Sequence, residues 1–407
     1  MFSEINSTTY FVNHLALCIL LVPLYYFTPW AFARRILLTL AGSYLVYFVA
    51  PRLLLFYVIF WTLIFLLQRI VAYTEDRKLG DVVFWISLTL ALLPMIIWKF
   101  WSEEFNIAFN VWGNYWTGLV NLRLGEIDFA REIIIPIGLS FATFRAVDLL
   151  VKSYIGRFKG LSLDRVLFYG FFPPIQVVGP IIEYDEIYRL GDQAQKTTTN
   201  DFYHGFLRIS FGLIKVLVIA NLLQGSAIIF TVYASKSFYI IWSYLFLYMW
   251  FFYLNFSGYS DLAIGTSRFF GYKLKENFNL PYFRPNIADF WNNWHMSLSR
   301  FAQRNAFVPL GGYRKKTQHV AIFATIMVIA LWHDLSLGML VFGIYHGVGL
   351  VTHRIFIDYA AKNKGPEGIV VSWAKIAATN VFVALSFPLL AMPLGEVGPF
   401  YLALFGM

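Results

Sequence analysis

One cysteine, Cys18, stands in 407 residues, so an intramolecular disulfide and a cysteine-built metal site are both excluded. Charge is equally scarce: Asp, Glu, Lys and Arg make up 14% of the chain, against about a quarter in a soluble domain. No H-E-x-x-H pattern and no carboxylate-rich run is present, and no bound metal is expected. Met1–Tyr10 holds Glu4 and no basic residue, so it lacks a secretory n-region, and the first apolar stretch is expected to persist in the mature protein. There is no internal repeat of the kind from which many transporters are built.

Apolar sequence fills the space that charge leaves. Hydrophobic residues make up 59% of the chain and the mean hydropathy is +0.62. Crossing a hydrocarbon core of about 30 Å takes about 20 apolar residues in a helix. Runs of that kind recur at 11–30, 36–50, 52–72, 82–100, 133–151, 164–182, 205–233, 238–256, 318–332, 337–357 and 370–394. The sequence therefore predicts an all-α polytopic membrane protein of 10–11 transmembrane or re-entrant helices, read as a single membrane domain over 1–407. The net charge of +9 does not signal nucleic acid, because the basic residues cluster between apolar runs, as in cytoplasmic loops. Placing Arg34, Arg35 and Lys78 in the cytoplasm puts the N-terminus, Glu103 and Glu104 outside. Pro173-Pro174 and Gly179-Pro180 are expected to bend or break the chain between Phe171 and Ile182.

Residues 271–316 break the pattern. Eight basic residues, among them Arg300, Arg304, Lys315 and Lys316, face only Glu276 and Asp289, yet Phe278, Tyr282, Phe290, Trp291, Trp294 and Phe301 make the stretch densely aromatic. Such a segment suits neither a lipid-facing span nor a free loop. It reads as interfacial or re-entrant helices, either as an anchoring belt or as a floor that docks an anionic donor.

Two histidines sit beside tryptophans, in Trp291-Asn-Asn-Trp294-His295 and Leu331-Trp332-His333-Asp334. Ionisable residues in membrane segments are costly and mark candidate sites, and imidazole is the side chain whose unperturbed pKa suits proton transfer near neutrality. His333 is the candidate general base. His295 is the candidate for orienting or polarising a reacting group. The structural alternatives are a His333 bonded to helix backbone or to Asp334, and an interfacial anchor at His295. Asp334, Trp294, Asn292, Asn293, Asp261 and Tyr259 stand as supporting candidates, with Arg268 a possible partner for Asp261. On a continuous helix His346 would lie roughly 140° around from His333, which favours packing. His14, His204, His319 and His353 read as interfacial or satisfied.

Over roughly 130–350 the chain resembles the membrane-bound O-acyltransferase family. The likeness rests on Ile135-Pro-Ile-Gly-Leu-Ser-Phe141, Gly179-Pro-Ile-Ile-Glu-Tyr184, Tyr259-Ser-Asp-Leu-Ala-Ile-Gly265, Glu276-Asn-Phe-Asn279, Phe290-Trp-Asn-Asn-Trp-His-Met-Ser-Leu-Ser299 and Val308-Pro-Leu-Gly-Gly-Tyr-Arg314. The order and number of these segments resemble the bacterial polysaccharide O-acetylases. The resemblance implies a helical shell around a central tunnel, a near-invariant histidine at His333, and a second position at His295 that is Asn or Asp in many members. It also implies a thioester donor (acyl-CoA or an acidic acyl-carrier protein) as co-substrate from the cytoplasm, with the acceptor entering from the opposite side. An extracytoplasmic acyl-transfer partner is a further expectation. Trp332-His333-Asp334 departs from the bacterial Trp-His-Gly and is closer to the eukaryotic glycerol-uptake and GPI-remodelling branch. Arg304-Asn305 stands where an Arg-Asp pair is usual. D-alanyl transfer proteins share Trp-His-Met-Ser-Leu-Ser but lack Pro-Leu-Gly-Gly. Acceptor and acyl group thus stay open, and a transporter or flippase and a non-catalytic envelope scaffold are the alternatives to an enzyme.

Overall fold

The computed structural model describes residues 8–49, 51–100, 138–176, 179–191, 197–360 and 368–407. The expected external pair Glu103 and Glu104, residues 1–7 and Ile135-Pro-Ile137 lie outside the described residues. Among those described the secondary structure is helical, with no strand. They fall into two compact units, one of residues up to 100, 138–210 and 260–275, the other of 211–259 and 276–407.

The first unit begins with α1 (Thr8–Phe27), α2 (Ala31–Val49), α3 (Pro51–Tyr73) and α4 (Arg77–Phe100). Pro51 occupies the first helical position of α3, where a missing N–H costs nothing. Asp76 caps α4 by accepting from the Leu79 amide at 2.7 Å. Leu53–Tyr73 and Arg77–Ile97 are long and apolar enough to cross a membrane, as are Thr199–Ser235, Phe238–Phe269, Leu337–Tyr359 and Ile369–Ala391. Apolar side chains face outward as well: Ile59 and Leu66 on α3 and Trp85 on α4 are exposed, as residues in contact with lipid are.

α5 (Leu139–Tyr154), α6 (Leu163–Gly170) and α7 (Tyr184–Gly191) complete this unit's core, and α8 (Thr199–Leu213) follows them in the chain. The expected span 164–182 is no single helix. α6 stops at Gly170, Pro173–Ile175 makes one tight 3-10 turn, and the described residues 179–183 before α7 are not helical. Pro173 and Pro174 lack N–H groups and bar helical backbone before them. Trp61, Tyr57, Tyr169, Phe171 and Phe172 pack around this bend. Lys152 on α5 is buried and holds Asp148, Glu183 and Asp185 at 2.8, 2.9 and 2.5 Å, tying α5 to the start of α7. A buried cation survives only with such partners.

α9 (Phe238–Phe269), with residues 238–259 in the second unit and 260–269 in the first, is the long helix, at about 1.5 Å per residue more than a bilayer core needs. Residues 271–316 then carry only short pieces, chiefly α10 (Ile287–Asn293) and α11 (Met296–Ala302), each far too short to span. α12 (Gln318–His333) and α13 (Leu337–Ala360) form a hairpin, followed by α14 (Ile369–Ala384) and α15 (Leu394–Leu404). Glycines let the hairpin close. A Cβ at Gly343 would sit 2.7 Å from Met327 Sδ, and one at Gly347 2.7 Å from the Phe323 ring. This G-x-x-x-G spacing on α13 gives α12 a flat surface to lie against.

Candidate active site

Asn286 caps α10 by accepting from the Asp289 amide at 2.8 Å, and α10 ends as Trp294 turns extended. Trp294 is buried and stacks on Phe290 with ring centroids 5.5 Å apart. The next residue, His295, has a φ of 43°, left-handed backbone that costs a side-chain-bearing residue about 1–3 kcal/mol. The turn is held by Asn277, which is fully buried. Its carbonyl accepts from the Met296 amide at 2.8 Å, and its side-chain oxygen accepts from the Ser297 amide at 3.1 Å and the Ser297 hydroxyl at 2.8 Å. His295 Nδ1 lies 3.2 Å from the same oxygen.

His295 is 2% exposed, with its ring 4.7 Å from Phe256 and 6.4 Å from Trp332. Burial holds its imidazole well below the usual histidine range, and His333 and Arg300 push the same way. His295 is therefore neutral at physiological pH.

His333 is the last residue of α12, and its ring lies 4.3 Å from that of Trp332. The two histidines, 38 residues apart in sequence, thus share one indole. His333 is exposed, while His295 is buried. Asp334 turns extended and its Oδ1 accepts from the Leu335 amide at 2.8 Å, which ends α12 and starts the turn into α13.

The other candidates divide. Tyr259 is buried. Asn293 bonds the Asp289 carbonyl at 2.8 Å, and its own carbonyl accepts from the Asn279 amide at 3.0 Å; Asn292 is exposed. Asp261, in the first unit, does not pair with Arg268: Arg208 on α8 reaches it at 2.7 Å, while Arg268 faces Asp201 at 3.9 Å. Asp261 and Arg268 are two helical turns apart, and the neighbouring helix supplies a nearer cation than α9 does. Lys315 and Lys316 are exposed; Arg300, partly buried, donates to the Glu276 carbonyl at 3.3 Å, and Arg304 is partly buried.

Two residues carry more than their sequence context implied. Asn277 is visible in the sequence only as part of Glu276-Asn-Phe-Asn279. His346 is buried at 1% among Trp291, Phe342, Tyr345 and Phe382, and Trp291 Nε1 donates to its Nδ1 at 3.3 Å. The chain leaves helix between His333 and Leu337, so continuous-helix geometry does not relate His346 to His333. No group of three or more metal-ligating side chains is gathered among the described residues.

Residues 129–390 match the profile of the membrane-bound O-acyltransferase family. The chain is 27% identical over 343 residues to a Pseudomonas fluorescens protein named "Probable alginate O-acetylase AlgI", covering 73% of this chain and 68% of that one. It is 30% identical over 280 residues to the peptidoglycan O-acetyltransferase of Helicobacter pylori, covering 60% and 52%. It is 30% identical over 274 residues to the teichoic acid D-alanyltransferase of Bacillus subtilis, covering 63% and 69%. The chain thus spans little more than half the length of some curated relatives it matches.

Proposed function

The chain belongs to the membrane-bound O-acyltransferase family, and on that premise we propose that it moves an acyl group from a cytoplasmic thioester to a hydroxyl of a cell-envelope glycan, lipid or protein. The supporting observation is the meeting of His295 and His333 on the Trp332 ring. His333 is the general base. It takes the proton of the acceptor hydroxyl as that oxygen attacks the thioester carbonyl. The C–S bond then breaks, leaving the acyl group on the acceptor oxygen, and the proton passes from His333 to the departing thiolate, so His333 is unchanged over the cycle. His295 orients or polarises a reacting group. The donor, acyl-CoA or an acidic acyl-carrier protein, docks on Lys315, Lys316, Arg300 and Arg304. The protein acts in the plasma membrane, with an extracytoplasmic acyl-transfer partner where the acceptor requires one. O-acetylation of alginate or peptidoglycan and D-alanylation of teichoic acid, the activities for which the relatives are named, set the acceptors to try first.

The test is His333→Gln, which keeps size and hydrogen bonding but cannot act as a base near neutral pH. Transfer from radiolabelled acetyl-CoA, or from a D-alanyl carrier thioester, to these acceptors should fall about 10²–10⁴-fold, with yield and melting temperature unchanged. Wild-type turnover in the purified variant refutes the base. Wild-type protein that transfers from neither donor removes the acyltransferase reading and favours transport.

A further inference from the structure

Asn277 Oδ1 is identified as oxygen by the Ser297 backbone amide, since an N–H at 3.1 Å needs an acceptor and an amide NH₂ is none. The Ser297 hydroxyl donates to the same atom at 2.8 Å and lies 3.4 Å from His295 Nδ1, so its hydrogen goes to Asn277. That settles what stands on His295 Nδ1. Were it a lone pair, it would face another acceptor at 3.2 Å in a buried, low-dielectric setting; carrying the proton, it donates a third hydrogen bond to the oxygen. A neutral imidazole holds one proton, so Nε2 carries the lone pair.

We propose that Asn277 is a positioning residue that locks His295 with its proton on Nδ1, so that His295 meets the reacting groups as a hydrogen-bond acceptor at Nε2. The inference rests on the acyltransferase reading for its use, though not for its geometry. It decides between the two roles open to His295. An imidazole with a bare Nε2 cannot polarise a thioester carbonyl, which has no hydrogen to give. It can hold an O–H of the acceptor substrate. His295 then orients the acceptor while His333 moves the proton. The left-handed backbone at His295 and the Met296 amide bond to the Asn277 carbonyl hold the turn that carries the ring. Among the groups that face His295 are Asn277, Ser297, Phe256, Phe278 and Trp332, and His333 and Arg300 act on it electrostatically.

Two measurements on the full chain in lipid test it. In ¹⁵N-histidine-labelled protein, with the His295 signals assigned by their loss in His295→Gln, solid-state NMR at neutral pH should show a protonated Nδ1 and a bare Nε2. A proton on Nε2 overturns the proposal. This readout needs no turnover, so an inactive protein with the expected tautomer would count against the acyltransferase reading alone. The second measurement is kinetic, with acetyl-CoA as donor. Asn277→Leu should lower kcat roughly 10²-fold, as a misplaced group does, at unchanged donor KM. Asn277→Asp accepts the same three hydrogen bonds and should recover most of that rate. Its carboxylate favours a protonated His295, so the acid limb of kcat should move up by on the order of one pH unit. Equal losses in both variants with an unmoved limb would mean that Asn277 only holds the turn together. Should Asn277→Leu not accumulate, the wild-type spectrum and the Asn277→Asp profile still decide.

Discussion

His295 is neutral because its surroundings refuse it a proton, and that refusal has a stability consequence. In the unfolded chain imidazole takes its proton near pH 6.5; in the fold it does so only well below that. Between the two values the unfolded state binds the extra proton, so stability present at neutral pH is lost as pH falls through this window. In detergent, the melting temperature should drop more steeply between pH 7 and 5 for wild type than for His295→Gln. Parallel curves would show that His295 is not the group responsible. Both histidines were legible in the sequence because histidine beside an apolar run is expensive. Asn277 was not, because an asparagine in a polar loop has no cost that sequence displays; its importance lies in which oxygen it turns toward a residue 18 positions away.

Apolar run length predicts a helix well where nothing interrupts the run. Run 318–332 emerges as Gln318–His333, and 52–72 as Pro51–Tyr73. It fails at 164–182, where two prolines end the helix at a bend whose residues 168–176 are buried. Hydrophobicity reports burial, and backbone form is set by whether N–H groups are available. The α12–α13 hairpin makes a sharper test of packing. A Gly347→Leu side chain would drive into Phe323, an overpacking cost of about 1–3 kcal/mol. Because α12 delivers Trp332 and His333 at its end, the substitution should lower melting temperature and turnover together. Retained turnover at a reduced melting temperature would mean that the hairpin does not set the position of His333. In the loop before α12, Lys315→Glu with Lys316→Glu should raise the KM for acetyl-CoA, most at low ionic strength where exposed charges act farther. A KM equal to wild type at every salt concentration removes the docking role.

At the scale of the molecule, the outward apolar faces of the long helices make a lipid environment a condition of folding. Orientation follows from charge. Basic loops resist translocation, so Arg34, Arg35 and Lys78 are expected in the cytoplasm. Cys18 is buried and unpaired, so Cys18→Ser gives a background for single-cysteine labelling. A cysteine at position 78 should react with membrane-impermeant maleimide only after cells are opened. Labelling from outside intact cells reverses the topology, and with it the side from which the donor arrives.

The backbone at position 295 also restricts which amino acids evolution can try there. A φ of 43° admits glycine freely and, among residues with a side chain, favours Asn, Asp and His, while β-branched and bulky residues are strained. The family resemblance implies Asn or Asp at this position in many members, and both belong with His to that same short alphabet. All three offer an acceptor atom, and all three tolerate the turn. Exchange among them changes proton affinity without rebuilding the loop, so lineages can retune this position one substitution at a time while the left-handed turn keeps other residues out.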